Sequence, residues 1–403
     1  MRIIYLHQYF NTPVMPGSTR SFELAKRLVK NGNKVWMITS KRDSHQESRI
    51  GWSIENGIDV CWLPVSYTNN MGFFRRIFSF LSFSFQSAKV CLSIKADLVF
   101  ATSTPLTIAI PAIVYSKIKK IPMIFEVRDL WPEIPIAVGV LKSKISIQLT
   151  RWLEKVTYQN SKRIVALSKG MKAGVVHAGY PAEKTHVITN LSNLEHFTKG
   201  HNSSNLVIDG FDWNESNPLV IYTGAFGHVN DVIYLINVAE HIKRLNSSVK
   251  FIIAGEGVKA ERIKSMTQEL GLLNNSVFII DPVQKKNIPQ LHNRAAVVTS
   301  LFINLEELWH NSANKFFDGL AAGKPIMINY SGWQREVLEK HQAGFYVPFD
   351  DPLKGAHILN DILKDKHHQN LMGESARKLA EEQFSPQVQF PKFEKVLFEA
   401  LDK

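Results

Sequence analysis

Apolar residues recur along this chain in short blocks, separated by longer stretches of helical period, and the alternation runs twice. RIIYLH (2–7) is a mostly apolar run of strand length, the kind a parallel sheet buries on both faces. A turn-rich loop with Pro13, Pro16 and Gly17 follows. Over 18–30, Phe22, Ala25, Leu28 and Val29 share one helical face, with Glu23, Lys26, Arg27 and Lys30 off it. Gly32 stands where a helix C-cap is expected, and KVWMIT (34–39) reads as the next strand. DLVFAT (97–102), PMIFEV (122–127) and RIVAL (163–167) predict further parallel strands. The stretch 202–217, polar and rich in Asn and Ser, breaks the rhythm. It restarts at LVIYT (219–223), KFIIA (250–254), SVFII (276–280), AVVTS (296–300) and PIMIN (325–329). Strands alternating with helices twice over predict an α/β protein of two doubly wound domains facing across a cleft. The boundaries are expected at 1–200 and 201–385, with a helix over 386–403 able to return to the first domain.

Composition narrows the class. At 403 residues the chain is long for one core and ample for two. With 45% apolar and 21% charged residues it has the make-up of an ordinary globular protein, which excludes disordered, collagenous and coiled-coil classes. Forty-eight basic against thirty-six acidic residues leave a charge of +12, suited to phosphates, anionic lipid or nucleic acid. Two cysteines, Cys61 and Cys91, support neither a disulfide framework nor a zinc cluster, so a reducing cytosol is expected. MRIIYLHQYF lacks signal-peptide anatomy, and no apolar run reaches the ~20 residues of a membrane span. Beyond the phenylalanine-rich stretch 71–95, no basic run interleaved with aromatics and no recognised module marks nucleic-acid binding, so no nucleic-acid partner is expected.

In open α/β sheets ligands bind beyond the carboxyl ends of the strands, and four loops there carry candidate chemistry. PGSTR (16–20) opens a helix, where Gly17 permits close backbone approach and Arg20 adds charge beside free N–H groups; a plain turn capped by Ser18 or Thr19 is the other reading. EVRDLWPE (126–133) puts Glu126, Arg128 and Asp129 where a buried run ends, placed to orient or deprotonate a hydroxyl, or to brace the loop. TGAFGHVN (223–230), with Gly224 and Gly227, and AGEG (254–257), with Gly255, form two glycine loops on successive strands, a shared anion site or simple turns. In NSANKFFDGLAAGKP (311–325), Lys315 and Asp318 fall three apart on one helix face. Lys315 can hold a diphosphate and Asp318 a ribose; a solvated ion pair is the alternative.

NKFFDGLAAGKPIMIN resembles the carboxyl-domain signature of family four glycosyltransferases, retaining nucleotide-sugar enzymes of the GT-B fold with two Rossmann-like domains. PGSTRSFELAKRL, FEVRDLWPE, RIVALSKGMK, HVITNLSN, VIYTGAFG and FIIAGEG agree in order and spacing over nearly the whole chain. The start and FEVRDLWPE look most like the subgroup that builds O-antigen and capsule repeat units, including transferases of N-acetylated 6-deoxyhexosamines such as N-acetylfucosamine. The resemblance implies a donor site of Gly17, Gly224, Gly227, Gly255, Pro282, Val283, Lys315 and Asp318, to which the reading of the loops adds Arg20 and Asn314. It implies catalytic Arg128 and Asp129, beside which the strand end adds Glu126 as a candidate, together with a UDP-sugar donor, a polyprenyl-diphosphate-linked saccharide acceptor, and no metal or other cofactor. Where the family often carries two glutamates separated by seven residues, this chain has His310 and Asp318. A nucleotide-sugar 2-epimerase and a non-catalytic nucleotide- or carbohydrate-binding subunit are the alternative functions.

One stretch lies outside that signature. MGFFRRIFSFLSFSFQSAKVCLSIK (71–95) is dense in phenylalanine, with Arg75, Arg76, Lys89 and Lys95 at its flanks. Twelve residues separate Arg76 from Lys89, too few to cross a bilayer but suited to a helix lying in the interface; a buried core helix is the alternative. Contact of Phe73, Phe74, Arg75 and Arg76 with an anionic membrane is expected, in a protein held peripherally at the inner face of the cytoplasmic membrane.

Overall fold

The computed structural model describes residues 1–41, 49–67, 71–197, 208–213, 216–245 and 248–402, and it shows two α/β domains. The expected boundary at 200 lies outside the described residues. The first sheet contains β1 (Arg2–Leu6), β2 (Lys34–Ser40), β3 (Gly51–Glu55), β4 (Ile58–Leu63), β5 (Leu98–Thr102), β6 (Met123–Val127), β7 (Arg163–Ala166) and β8 (Thr185–Val187). Its order is β3-β4-β2-β1-β5-β6-β7-β8, parallel except for the β3–β4 pair. The second contains β9 (Leu219–Thr223), β10 (Lys250–Ala254), β11 (Val277–Ile280), β12 (Val297–Ser300), β13 (Ile326–Ile328) and β14 (Gly344–Tyr346), all parallel in the order β11-β10-β9-β12-β13-β14.

The apolar blocks read from the sequence become the buried central strands: β5, β6 and β9 are buried at every position. Full burial of one such Leu, Ile or Phe contributes about 1.5–3 kcal/mol. The pattern missed β3, β4, β8 and β14. Asn56 and Gly57 (φ 51° and 84°) join β3 to β4 by a two-residue turn with both central residues left-handed, the hairpin geometry that an Asn-Gly pair favours.

Helices fill both faces. In the first half these are α1 (Arg20–Lys30), α2 (Phe73–Ser93), α3 (Ala109–Lys119), α4 (Glu133–Ala137), α5 (Lys144–Gln159) and α6 (Lys169–His177). In the second they are α7 (Val232–Leu245), α8 (Ala260–Glu269), α9 (Ile288–Arg294), α10 (Asn314–Ala321), α11 (Trp333–His341), α12 (Pro352–Lys364), α13 (Lys366–Leu379) and α14 (Pro386–Leu401). On one face of the first sheet Phe83 of α2, Tyr115 of α3, Tyr158 of α5 and Met171 of α6 join a core with Val99 and Phe125. On the other, Phe22 and Leu28 of α1 meet Phe393 and Leu397 of α14 around Tyr5 and Phe100. Phe393 packs edge-on against Phe100, their ring centroids 5.1 Å apart. The chain thus leaves the first domain for the second and comes back to it in its last helix.

Candidate active site

Two glycine loops meet at the carboxyl ends of β9 and β10. Gly224 donates its N–H to Ala254 O (2.9 Å), and Phe226 donates to Glu256 O (2.7 Å). Gly224 has φ 151°, and a Cβ on Gly255 would sit 1.9 Å from Gly224 O, so neither position accepts a side chain. The result is a backbone platform with Gly227 beyond it, open to an approaching anion.

Lys315, in the first turn of α10, reaches under this platform. Its Nζ donates to Tyr222 Oη and Asn230 Oδ1, both 3.0 Å away, and lies 4.3 Å from the Tyr222 ring centroid and 5.1 Å from that of Phe302. A Cβ on Gly224 would be 3.3 Å from it. Among the described residues it makes no ion pair, and burial alone pulls its ammonium down to about 7. A cation kept from water without a carboxylate is costly, and an incoming phosphate removes that cost.

The facing wall comes from the first domain. Arg128, at the end of β6, holds its Nη1 3.0 Å from His7 Nε2 and donates Nη2 to Ser18 Oγ (3.3 Å). Ser18 Oγ donates in turn across the cleft to Asn314 Oδ1 at the start of α10 (3.1 Å). A polar path therefore runs His7, Arg128, Ser18, Asn314 from one domain to the other. Arg128 also makes no ion pair among the described residues. Beside it, Asp129 Oδ2 accepts from Thr104 Oγ1 (2.8 Å). The loop holding Gly17 is tied to the second domain as well: Lys285 N donates to Met15 O (3.1 Å) and Lys286 N to Pro13 O (3.0 Å). Half-buried Pro282 and Val283 lie in the loop that runs from β11 into Lys285.

The structure thus brings Gly17, Arg128, Asp129, Gly224, Gly227, Gly255, Pro282, Val283, Asn314 and Lys315 to the loops that border the cleft. Two expected site residues are placed elsewhere. Arg20 and Glu126 are wholly buried against each other, Nη2 to Oε1 at 2.8 Å and Nε to Oε1 at 3.1 Å. Arg20 also donates to the carbonyls of Ile188 and Thr189, and Glu126 Oε2 accepts from Thr102 Oγ1 (2.6 Å). With every carboxylate oxygen bonded and none exposed, Glu126 has no path to a substrate hydroxyl, and Arg20 has no charge to spare for a phosphate; they brace the domain.

Asp318 is also engaged, by a residue the sequence reading did not single out. Lys285 Nζ donates to both of its carboxylate oxygens, at 2.6 Å for Oδ1, and both side chains are buried. The expected helix-face partner of Asp318, Lys315, points instead into the glycine platform. Nothing in the local pattern of VQKKN marks Lys285, whose partner lies 33 positions on.

His310 stands across from the N-terminus of α6. Its carbonyl accepts from Ser168 Oγ (2.7 Å), and a Cβ on Gly170 would fall 2.0 Å from its Nδ1. Gly170→Ala is therefore expected to hold the domains apart. It would lower kcat/KM about tenfold or more through misplaced reacting groups while the thermal midpoint stays near wild type. Steady-state kinetics beside a melting curve checks this, and unchanged kinetics would show the contact to be dispensable.

On α2, Phe74 is 84% exposed, and Arg75 is exposed while Arg76 is half-buried, its guanidinium 5.9 Å from the Tyr67 ring centroid. The side chain of Phe73 lies outside the described residues. No described helix is long and apolar enough to cross a membrane.

Residues 17–196 match the family model Glycosyltransferase Family 4, and residues 207–379 match Glycosyl transferases group 1. Spore coat protein SA of Bacillus subtilis is 28% identical over 109 residues, which cover 27% of this chain and 28% of that protein's length. Over nearly whole chains the fold matches sucrose-phosphate synthase from Thermosynechococcus elongatus, with TM-score 0.75, 15% identity, and 99% and 98% of the two chains covered. It also matches Anabaena HepE in complex with UDP and glucose, with TM-score 0.70, 16% identity and 99% of each chain covered.

Proposed function

The chain carries a Glycosyltransferase Family 4 domain followed by a group 1 domain and is a glycosyltransferase of the GT-B fold; on that premise we propose that it moves a sugar, with retention at the anomeric carbon, from a nucleoside diphosphate donor to a lipid-linked saccharide. We read the donor as a UDP-linked N-acetylated amino or 6-deoxyamino sugar. The acceptor is a polyprenyl-diphosphate saccharide of O-antigen or capsule assembly, at the inner face of the cytoplasmic membrane. HepE, whose fold this chain shares, is known with UDP bound, which supports a uridine donor.

One observation carries this reading: two cations, Lys315 and Arg128, border one cleft with hydrogen-bonding partners but no carboxylates. A ligand that supplies the missing negative charge there is a diphosphate. Seated on the Gly224–Gly255 platform, it meets the Lys315 ammonium and the free N–H groups that open α10. The bond from the sugar C1 to the phosphate oxygen breaks, and the charge growing on the leaving diphosphate is held by Lys315 and the helix end, so the chain's own groups meet the need for positive charge. The acceptor hydroxyl attacks C1 from the same face. Its proton passes to the departing phosphate oxygen, which balances the step and keeps the configuration. Arg128 and Asp129 orient the sugar and the hydroxyl, while the buried Lys285–Asp318 pair positions the nucleoside side of the pocket.

Incubation with a panel of UDP-sugars and a polyprenyl-diphosphate saccharide is expected to release UDP and give a product whose new linkage keeps the donor's anomeric configuration by NMR. An inverted product sinks the same-face route. Absence of a thermal shift with every nucleotide and nucleotide sugar in the panel sinks the donor site itself.

A further inference from the structure

The sequence pointed to the start of α2 as a membrane contact; the structure extends the matter to two more helices. Each of α2, α3 and α5 has an inner apolar side in the core, formed by Phe83 and Cys91, by Ala112 and Tyr115, and by Tyr158. Each also has an outer apolar side in solvent. On α2 this is Phe74, Phe78, Leu81 and Phe85, spaced four, three and four apart, with Phe78 74% exposed. On α3 it is Val114 and Ile118, one turn apart. On α5 it is Ile145, Leu149 and Trp152, with Ile145 78% exposed. The three helices lie side by side on one face of the first sheet, α2 against α3 and α3 against α5, so their outer sides point the same way. Single exposed apolar residues are ordinary, whereas a contiguous apolar surface spread over three helices marks a binding surface.

Charge selects the occupant. No acidic residue occurs in α2 or α3, and the one in α5, Glu154, is buried. Exposed Arg75, Lys89, Lys117, Lys144, Arg151 and Lys155 lie among the apolar positions. Lys89 lays its Nζ 4.3 Å from the Phe85 ring centroid, a long side chain running along apolar surface with its charge at the end. Apolar side chains whose exposed charged neighbours on these three helices are all basic match an anionic lipid headgroup layer over hydrocarbon.

We propose that the outer faces of α2, α3 and α5 form one seat on an anionic bilayer, with Ile145, Leu149 and Trp152 of α5 entering the interface as deeply as the phenylalanines of α2. The seat deepens the reading of a lipid-linked acceptor and rests on it for its purpose, because a protein held on three helices has a fixed tilt and presents its cleft at a set height.

The test is sedimentation of the full chain with phosphatidylglycerol vesicles and with phosphatidylcholine vesicles, at low and high salt. Wild type is expected to pellet with the anionic vesicles and to be released by salt. Phe78→Glu on α2 and, separately, Ile145→Glu/Leu149→Glu on α5 are each expected to lower the bound fraction about tenfold or more, from the loss of buried methylenes and the added negative charge. Trp emission is expected to be quenched by brominated phosphatidylglycerol, and Trp152→Phe to remove most of that quenching. Thermal midpoints near wild type establish that the variants fold. If the α5 variant pellets like wild type, the three-helix seat is wrong and α2 alone binds. A wild type that never pellets overturns the seat outright, as does one that is dimeric in buffer and turned monomeric by these substitutions, which assigns the surface to a second copy. Vesicle binding without sugar transfer to any lipid-linked acceptor leaves the seat standing and removes the acceptor reading instead.

Discussion

Lys315→Met is expected to lower turnover about a hundredfold or more, because it removes the fixed cation under the leaving diphosphate while keeping the shape of the side chain. The same substitution is expected to leave the unliganded protein at least as stable as wild type. Among the described residues Lys315 is buried with Tyr222 Oη and Asn230 Oδ1 as hydrogen-bond acceptors and two aromatic rings beside it, and a thioether sits in that pocket without a charge to desolvate. Loss of function with no loss of stability separates a ligand-binding lysine from a structural one. Its pH dependence sharpens the contrast. In the unfolded chain the ammonium keeps its proton up to about 10.5, and in the folded, empty site only up to about 7. The unfolded state therefore holds more protons between those values, and stability of the free protein rises with pH across that window, by up to about 1.4 kcal/mol per unit. A bound diphosphate draws the proton back. UDP affinity is thus expected to fall as pH climbs above about 7, by up to about tenfold per unit, and Lys315→Met is expected to abolish that slope. Calorimetric titration of UDP at several pH values in both proteins measures it; a slope that persists in the variant would assign the proton to another group.

Breaking the Arg20–Glu126 pair has the largest expected effect on stability. Arg20→Met leaves Glu126 buried with Thr102 as its remaining donor, and Glu126→Leu leaves the Arg20 guanidinium buried with two carbonyls. Each single change is expected to cost about 3–5 kcal/mol, since an uncompensated charge stays behind in the core. At about 2–4 °C per kcal/mol for a domain of this size, the midpoint drops by roughly 6–20 °C. The double variant Arg20→Met/Glu126→Leu is expected to recover most of the loss, because an apolar pair of similar volume pays no desolvation. Thermal melts of the three proteins decide the matter. A double variant as weak as the sum of the singles would mean that the pair contributes more than it costs to bury.

That pair also shows why the sequence led to part of the site and not all of it. The glycine loops and the start of α10 are local: Gly224 and Gly255 follow apolar strands, and Lys315 stands in the first turn of a helix with a clear apolar side. Arg20 and Glu126 looked equally available by those signs, and only the adjacency of β1, β5 and β6 turns them toward each other across 106 positions. Lys285 was missed for the same reason, its role being decided by where Asp318 lands. The outer faces of α3 and α5 were missed for a different one. A helix with apolar residues on both sides has the pattern of a buried helix, and exposure is settled by what packs beyond it, which here is nothing among the described residues. The Asn56–Gly57 hairpin was missed although its two turn residues are a local signal, because β3 and β4 around it are short and one of them is half-exposed.

The return of α14 to the first domain means that two separate stretches of backbone join the halves. A joint with two straps is expected to swing more easily than it twists, which would bring the Lys315 wall back to Arg128 in a constant register. Severing one strap by a protease would leave the halves still fastened by the other, with the α14 anchor of Phe393 against Phe100 bearing the load.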